Sequence, residues 1–309
     1  MCAKLLIFTL ALPLTFAAAV NYSYDAAGRL TRIDYGASGS INYSYDKAGN
    51  LLSRAVGPAG ATSVITKVNA AWGGTDIAPN TFIEVKGNNL VPASTPAAGV
   101  IWSTAPEFAS GRMPTALGGV SVTINGKPGY IYFYCSAATN TSCASDQIDV
   151  LTGLDATTGP VSIVVTSGAV TSAPFTVNVK ALAPTFLFFT PQGYVVATHA
   201  NYSLLGPSTL YPGATTPATA NETVILYAIG FGLPATKLTE GSSTQSSSLS
   251  AVPACAVGGL PAAATIALIA PGLYQLNLTV PSGLKSGDNT LVCSYAGATT
   301  QSGALVAVQ

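Results

Sequence analysis

Apolar and polar residues alternate with a period of two along most of this chain. VSVTING (120–126), FTVNV (175–179) and YQLNLTV (274–280) each put apolar side chains on one face of an extended strand and polar ones on the other. Such a segment is stable only where a sheet buries one of its sides. Helical periodicity is nearly absent. The 31 glycines and 20 prolines interrupt the alternating runs at short intervals, which predicts many short antiparallel strands joined by turns. The expected fold class is therefore all-β, built as sandwiches.

At 309 residues the chain has room for two domains, each with its own core. Inside the body the same order of elements occurs twice. FIEVKGNNL (82–90) is answered by VILYAIGFGL (224–233), and DQIDVL (146–151) by YQLNLT (274–279). Both are followed by a turn, a strand (PVSIVVTSG, NTLVCSYAG) and a closing strand (APFTVNV, GALVAV). This order predicts two tandem domains of like fold, residues 62–180 and 181–309, joined at KALAPT. The stretch 203–221 has no clear period and reads as a long loop or edge cover.

The N-terminal part is different. NYSYDAAGRL (21–30) returns as NYSYDKAGNL (42–51), and residues 21–54 hold seven charged side chains, whereas only 8% of the whole chain is charged. Tyr22 and Tyr24 lie two apart on one strand face, and Asp25-Ala-Ala-Gly28 suits a type I turn with Asp first and Gly fourth. Residues 20–61 are thus expected to form hairpins and a linker. These phrases resemble the YD repeat of the RHS family, Tyr-Asp-x-x-Gly-[Arg/Asn]-Leu. The resemblance implies strand–turn–strand units, of which two copies are too few to wind into a shell. The body resembles a C-terminal module, without assigned activity, of secreted proteins of soil bacteria, chiefly acidobacteria. That module is related in plan to immunoglobulin-like TIG/IPT domains. IAPNTFIEVKGNNL, GRMPTALGGVSVTINGKPGYIYF, DQIDVLTG, GPVSIVVTSGAVTSAPFTVNV and APGLYQLNLTVPSGLKSGDNTLV carry this likeness. The implied architecture is YD hairpins followed by two tandem immunoglobulin-like sandwiches. The segment between Cys135 and Cys143 departs from it as an insertion.

Residues 1–19, MCAKLLIFTLALPLTFAAA, read as a cleaved secretory signal: one lysine, an apolar run, then small residues. The run is too short to span a bilayer, so no membrane span is expected after cleavage. Secretion in turn favours disulfides among the four remaining cysteines, Cys135, Cys143, Cys255 and Cys293. Three pairings are possible, and the two local ones, Cys135 with Cys143 and Cys255 with Cys293, are preferred. A zinc site would need closely spaced Cys/His pairs, and the sole histidine, His199, is far from any cysteine in sequence.

Lys plus Arg (12) balance Asp plus Glu (12), which excludes a field able to hold nucleic acid. Catalytic patterns are thin. There is no Gly-x-Ser-x-Gly elbow, and His199 has no nucleophile signature nearby. Asp146 and Asp149 fall on opposite faces of one strand, and Asp76, Glu84, Glu107 and Asp155 read as single turn or surface groups. GFGLPA (230–235) mimics a dinucleotide glycine pattern, but Pro234 and the Ser/Thr run beyond it do not make the helix a pyrophosphate needs. Trp72 and Trp102 read as core or edge residues. The leading site is the row Tyr130, Tyr132, Tyr134 in GYIYFYC. Alternation puts the three rings on one face, with Ile131 and Phe133 on the other, as a platform for stacking on sugar rings. The competing reading is that both faces are covered and the tyrosines simply pack.

These readings predict a secreted, non-enzymatic module for extracellular or cell-surface binding, adhesion or spacing. Its partners would be polysaccharide or cell-surface proteins, and it would need no cofactor. The alternatives are an extracellular hydrolase or its accessory domain, the hydrolase needing converging carboxylates or a His-activated hydroxyl, and a fragment of an RHS-type surface or toxin-delivery protein.

Overall fold

The computed structural model describes residues 20–35, 39–57, 62–71, 76–108, 111–189 and 192–309. The signal segment 1–19 and Trp72 lie outside the described residues. The protein is all-β, and among the described residues no helix is long and apolar enough to cross a membrane. It divides into two compact units, residues 1–62 and 63–309.

The first unit is an antiparallel meander of β1 (Asn21–Tyr24), β2 (Leu30–Asp34), β3 (Ser40–Tyr45) and β4 (Leu51–Gly57), in that order. Its two hairpins are built alike because the repeat supplies the same turn residues. Gly28 N–H donates to Asp25 O and Gly49 N–H to Asp46 O, while each aspartate carboxylate accepts main-chain N–H groups inside the turn. Gly28 and Gly49 both take positive φ (76° and 91°), where a side chain would be strained.

The second unit begins with a two-sheet sandwich. Its strands are β5 (Val64–Ala70), β6 (Phe82–Asn88), β7 (Val100–Ile101), β8 (Ala116–Leu117), β9 (Val120–Ile124), β10 (Lys127–Pro128), β11 (Tyr130–Cys135), β12 (Asp146–Leu151), β13 (Gly159–Ser167), β14 (Val170–Thr171) and β15 (Phe175–Val179). One sheet runs β5-β6-β12-β11-β7, and the other runs β10-β9-β13-β14 with β15 and β8 attached. The alternation works as expected in β9 and β13. Val120, Val122, Val161, Ile163 and Val165 face inward and meet Ile83, Val85, Ile148 and Val150 of the opposite sheet in one core.

A second sandwich follows over residues 185–308, its larger sheet centred on strands Thr223–Ile229, Leu273–Thr279 and Ala264–Ala270, the smaller on Gly287–Tyr295. Tyr274, Leu276 and Leu278 point into its separate core beside Phe186, Phe231 and Leu291. Gly230 (φ +79°) ends strand Thr223–Ile229, and a Cβ there would lie 2.0 Å from the Ala183 carbonyl oxygen. The glycines of GFGLPA therefore serve a close backbone crossing in a segment without helix.

The two sandwiches pack on each other. Ala70, Ala71, Leu187 and Ile229 form an apolar seam with Phe82, Tyr227 and Leu273. Nearby, Met113 N–H donates to Gly241 O (2.9 Å) and Ser243 N–H to Gly111 O (2.8 Å), so a loop of the second sandwich is laced to the first through its main chain.

Candidate functional site

The cysteines pair locally, Cys135 with Cys143 and Cys255 with Cys293. Cys255 and Cys293 stand directly opposite on hydrogen-bonded strands. Cys135 closes β11 onto a loop that is also held by Asp146, whose carboxylate accepts from the Ser136 hydroxyl and from the N–H groups of Ala137 and Leu90.

The tyrosine row does not share one face. A β-bulge lies between Ile131 and Phe133 and inserts an extra residue, so the alternation slips within the strand. Tyr134 then joins Ile131 in the sandwich core, 3% exposed. Tyr130 lies on the outer side against Met113 and Leu151, 6% exposed, with its hydroxyl donating to Glu240 Oε1 at 2.8 Å. Burial, then the neighbouring Glu240, push the Tyr130 hydroxyl far above its ordinary pKa. Tyr132 alone of the three keeps a part-exposed ring. It meets Trp102 edge-on (centroids 5.1 Å) and Phe82 (5.5 Å), and Trp102 in turn stacks on Phe108 (5.5 Å). All four rings are partly exposed.

Beside this aromatic group the strand register assembles a polar row. On the outer face of the sheet Glu84 of β6 stands opposite Asp149 of β12, Lys86 opposite Gln147, and Asn69 of β5 opposite Glu84. Glu84, read as a single turn or surface group, thus has Asp149 as its cross-strand partner. No local pattern could show it, because 64 positions of chain separate residues that only the sheet brings together. Glu84 is held by Lys86 Nζ (2.6 Å) and by the Asn69 amide (3.2 Å). Gln147 Nε2 donates to Asp149 Oδ1 (2.8 Å). Burial is the main cause that pushes the Asp149 carboxyl up to about 6, and the like charge of Glu84 adds to it against the Gln147 hydrogen bond and Lys86. Chemically, the face offers ring surfaces for C–H stacking next to carboxylate and amide groups that accept and donate hydrogen bonds.

Two further places bear on function. A cavity of about 460 Å³ lies where the sandwiches meet, lined by Tyr130, Lys127, Asp155, Leu154 and Glu240, and the Glu240 carboxylate there also accepts from Leu154 N–H (3.2 Å). His199 has a hydroxyl neighbour after all. Its Nδ1 lies 2.5 Å from Glu222 Oε1 and its Nε2 lies 2.9 Å from Thr216 Oγ1. The Thr216 carbonyl oxygen shares that ring nitrogen at 3.1 Å, and Pro217, next in the chain, has no N–H to steady an oxyanion. The arrangement fastens the 199–222 excursion onto the strand that follows it. Among the described residues no group of three or more His, Cys, Asp or Glu side chains is placed to hold a metal.

No curated protein matches the chain. Among solved structures, the glucan-utilization surface protein SGBP-B of Bacteroides ovatus, in complex with a mixed-linkage heptasaccharide, is similar at 13% identity and TM-score 0.31. That match covers 88% of this chain and 52% of that one, so the chain spans about half the length of that protein. Domains 4–9 of the surface layer protein SbsC match at 15% identity and TM-score 0.22, covering 94% and 46% of the two chains. The tandem Ig domains A164-A165 of titin match at 14% identity and TM-score 0.20, covering 65% and 94%. The family that matches is the RHS Repeat, over residues 21–62, the four-stranded hairpin sheet with the few residues that follow it.

Proposed function

We propose that the protein is an extracellular binding module that takes uncharged polysaccharide on the outer face of the β5-β6-β12-β11-β7 sheet. The observation that carries this reading is the juxtaposition of part-exposed Tyr132 and Trp102 with the Glu84, Asp149 and Gln147 row. Sugar rings present apolar C–H faces to aromatic rings and hydroxyls to carboxylates and amides. The balanced charge of the chain supplies no long-range field and suits an uncharged ligand. A leader-like N-terminus and two disulfides support work outside the cell. A second reading, glycoside hydrolysis, draws on the same carboxylate pair.

The test is a polysaccharide binding screen followed by titration calorimetry on the mature chain, Tyr132→Ala and Trp102→Ala. Binding is expected, with each variant losing about tenfold or more in affinity. A parent that binds no polysaccharide, or variants that bind as tightly as it does, would overturn the proposal. Release of reducing sugar by the parent that Asp149→Asn abolishes would favour hydrolysis.

A further inference from the structure

The geometry points to the N-terminal sheet as a self-association surface, on which β4 of one molecule pairs antiparallel with β1 of a second copy and continues the sheet from chain to chain. The repeat itself builds both halves of such a junction. Both hairpins have the same register: Asn21↔Asp34 with Asn42↔Ala55, Tyr22↔Ile33 with Tyr43↔Arg54, and Ser23↔Arg32 with Ser44↔Ser53. The irregularity before Tyr24 recurs before Tyr45. Between the hairpins, β2 pairs with β3 through Arg32↔Asn42 and Ile33↔Ile41. Since β4 is the second copy of β2 and β1 the first copy of β3, the two edges left over among the described residues are the two halves of a junction the chain already makes internally.

Exposure follows the same logic. Tyr45 is partly covered by the preceding repeat: Arg29 lies over its ring (4.9 Å), and its hydroxyl donates to Leu30 O (2.9 Å). The same Arg29 reaches Asp46 O at 3.1 Å. Tyr24, its counterpart, has no such cover among the described residues and is 61% exposed. At the other edge Leu51 and Leu52 are 54% and 67% exposed, whereas Leu30 and Thr31, at the same repeat positions, are partly covered. A second molecule would bring its Tyr24 onto the Asn50–Leu51 turn and set its Asn21 opposite Ser53, the counterpart of Arg32↔Asn42. Such head-to-tail contacts do not close on themselves in pairs, so short open chains or rings result. Asn50 stands where Arg29 stands in the internal junction, which makes the intermolecular contact the weaker of the two.

The test mixes the mature chain carrying Asn21→Cys with the mature chain carrying Ser53→Cys under mild oxidation. Directly opposed strand residues are within disulfide reach, so the mixture is expected to give a mixed disulfide that neither variant forms with itself. Sedimentation of the parent should depend on concentration. Asn50→Arg, which restores the stacking cation, should tighten association about two- to fivefold, and Tyr24→Ser should weaken it. A parent that sediments as a monomer up to millimolar concentration, or a mixture with no more cross-link than its components alone, overturns the inference. So does association that Asn50→Arg and Tyr24→Ser leave unchanged.

Discussion

Asp149→Asn should make the protein more stable at neutral pH, and less so as the pH falls. Burial beside Glu84 raises this carboxyl from its ordinary 3.8 to about 6. The folded state therefore holds more protons than the unfolded chain between those values, and stability falls as pH rises through the window. About two pKa units at about 1.4 kcal/mol each bound the destabilisation above pH 7 at about 3 kcal/mol. The carboxylate keeps some contact with water, so about 1–2 kcal/mol is the expected size. Asparagine keeps the shape and an oxygen to accept from Gln147 Nε2 without the charge. For a unit of this size that amounts to a rise in melting temperature of roughly 2–8 °C at pH 8. The rise should nearly vanish by pH 3.5, where the parent is protonated in the folded state and mostly so in the unfolded chain. Calorimetric melts of parent and variant from pH 3.5 to 8 check it. A variant that is less stable at pH 8, or a difference independent of pH, would refute the reasoning. An acid kept at such a cost, on the face proposed to meet the ligand, is the pattern of a residue retained for what it binds.

Two further outcomes follow from the structure. Replacing Cys255 and Cys293 by serine should cost about 4 kcal/mol and replacing Cys135 and Cys143 about 2.5, because the first bridge closes the longer loop (sequence separation 38 against 8); urea unfolding of each double variant measures both. Desolvation raises the Glu222 carboxyl, but the Thr219 N–H bond and the His199 contact together outweigh it and hold the group below its ordinary pKa. Its stabilising contribution is present above the unfolded pKa and lost as pH falls through the folded one. Glu222→Gln should therefore weaken the protein at pH 7 and match it in acid, as read by pH-dependent thermal melts.

Much of the architecture was legible because alternation is a local signal that a sheet has to obey. VSVTI, PVSIVV and YQLNLT alternate in sequence and fold with their apolar sides inward, and the turn residues Asp25 and Gly28 adopt the conformation their chemistry prefers. The site was less legible. One inserted residue in β11 sends Tyr134 inward, and nothing in GYIYFYC marks a bulge, because the slip is imposed by pairing with β12. Glu84 and Asp149, like His199 and Thr216, meet only through the register or return path of distant segments. Period-two reasoning assigns a residue its face. It does not say which neighbour shares that face.

The lacing of Gly111 and Met113 to Gly241 and Ser243 has an evolutionary implication. Both N–H···O contacts use main-chain atoms, so replacement at Met113 leaves its donor in place, and replacement at Ser243 removes only the added hydroxyl bond to Gly111 O (2.6 Å), unless proline enters. Selection can then rework the surrounding side chains, and with them the cavity around Glu240, while the two halves stay joined through the same main-chain atoms. The seam is a fixed hinge plate on which new recognition surfaces can be tried.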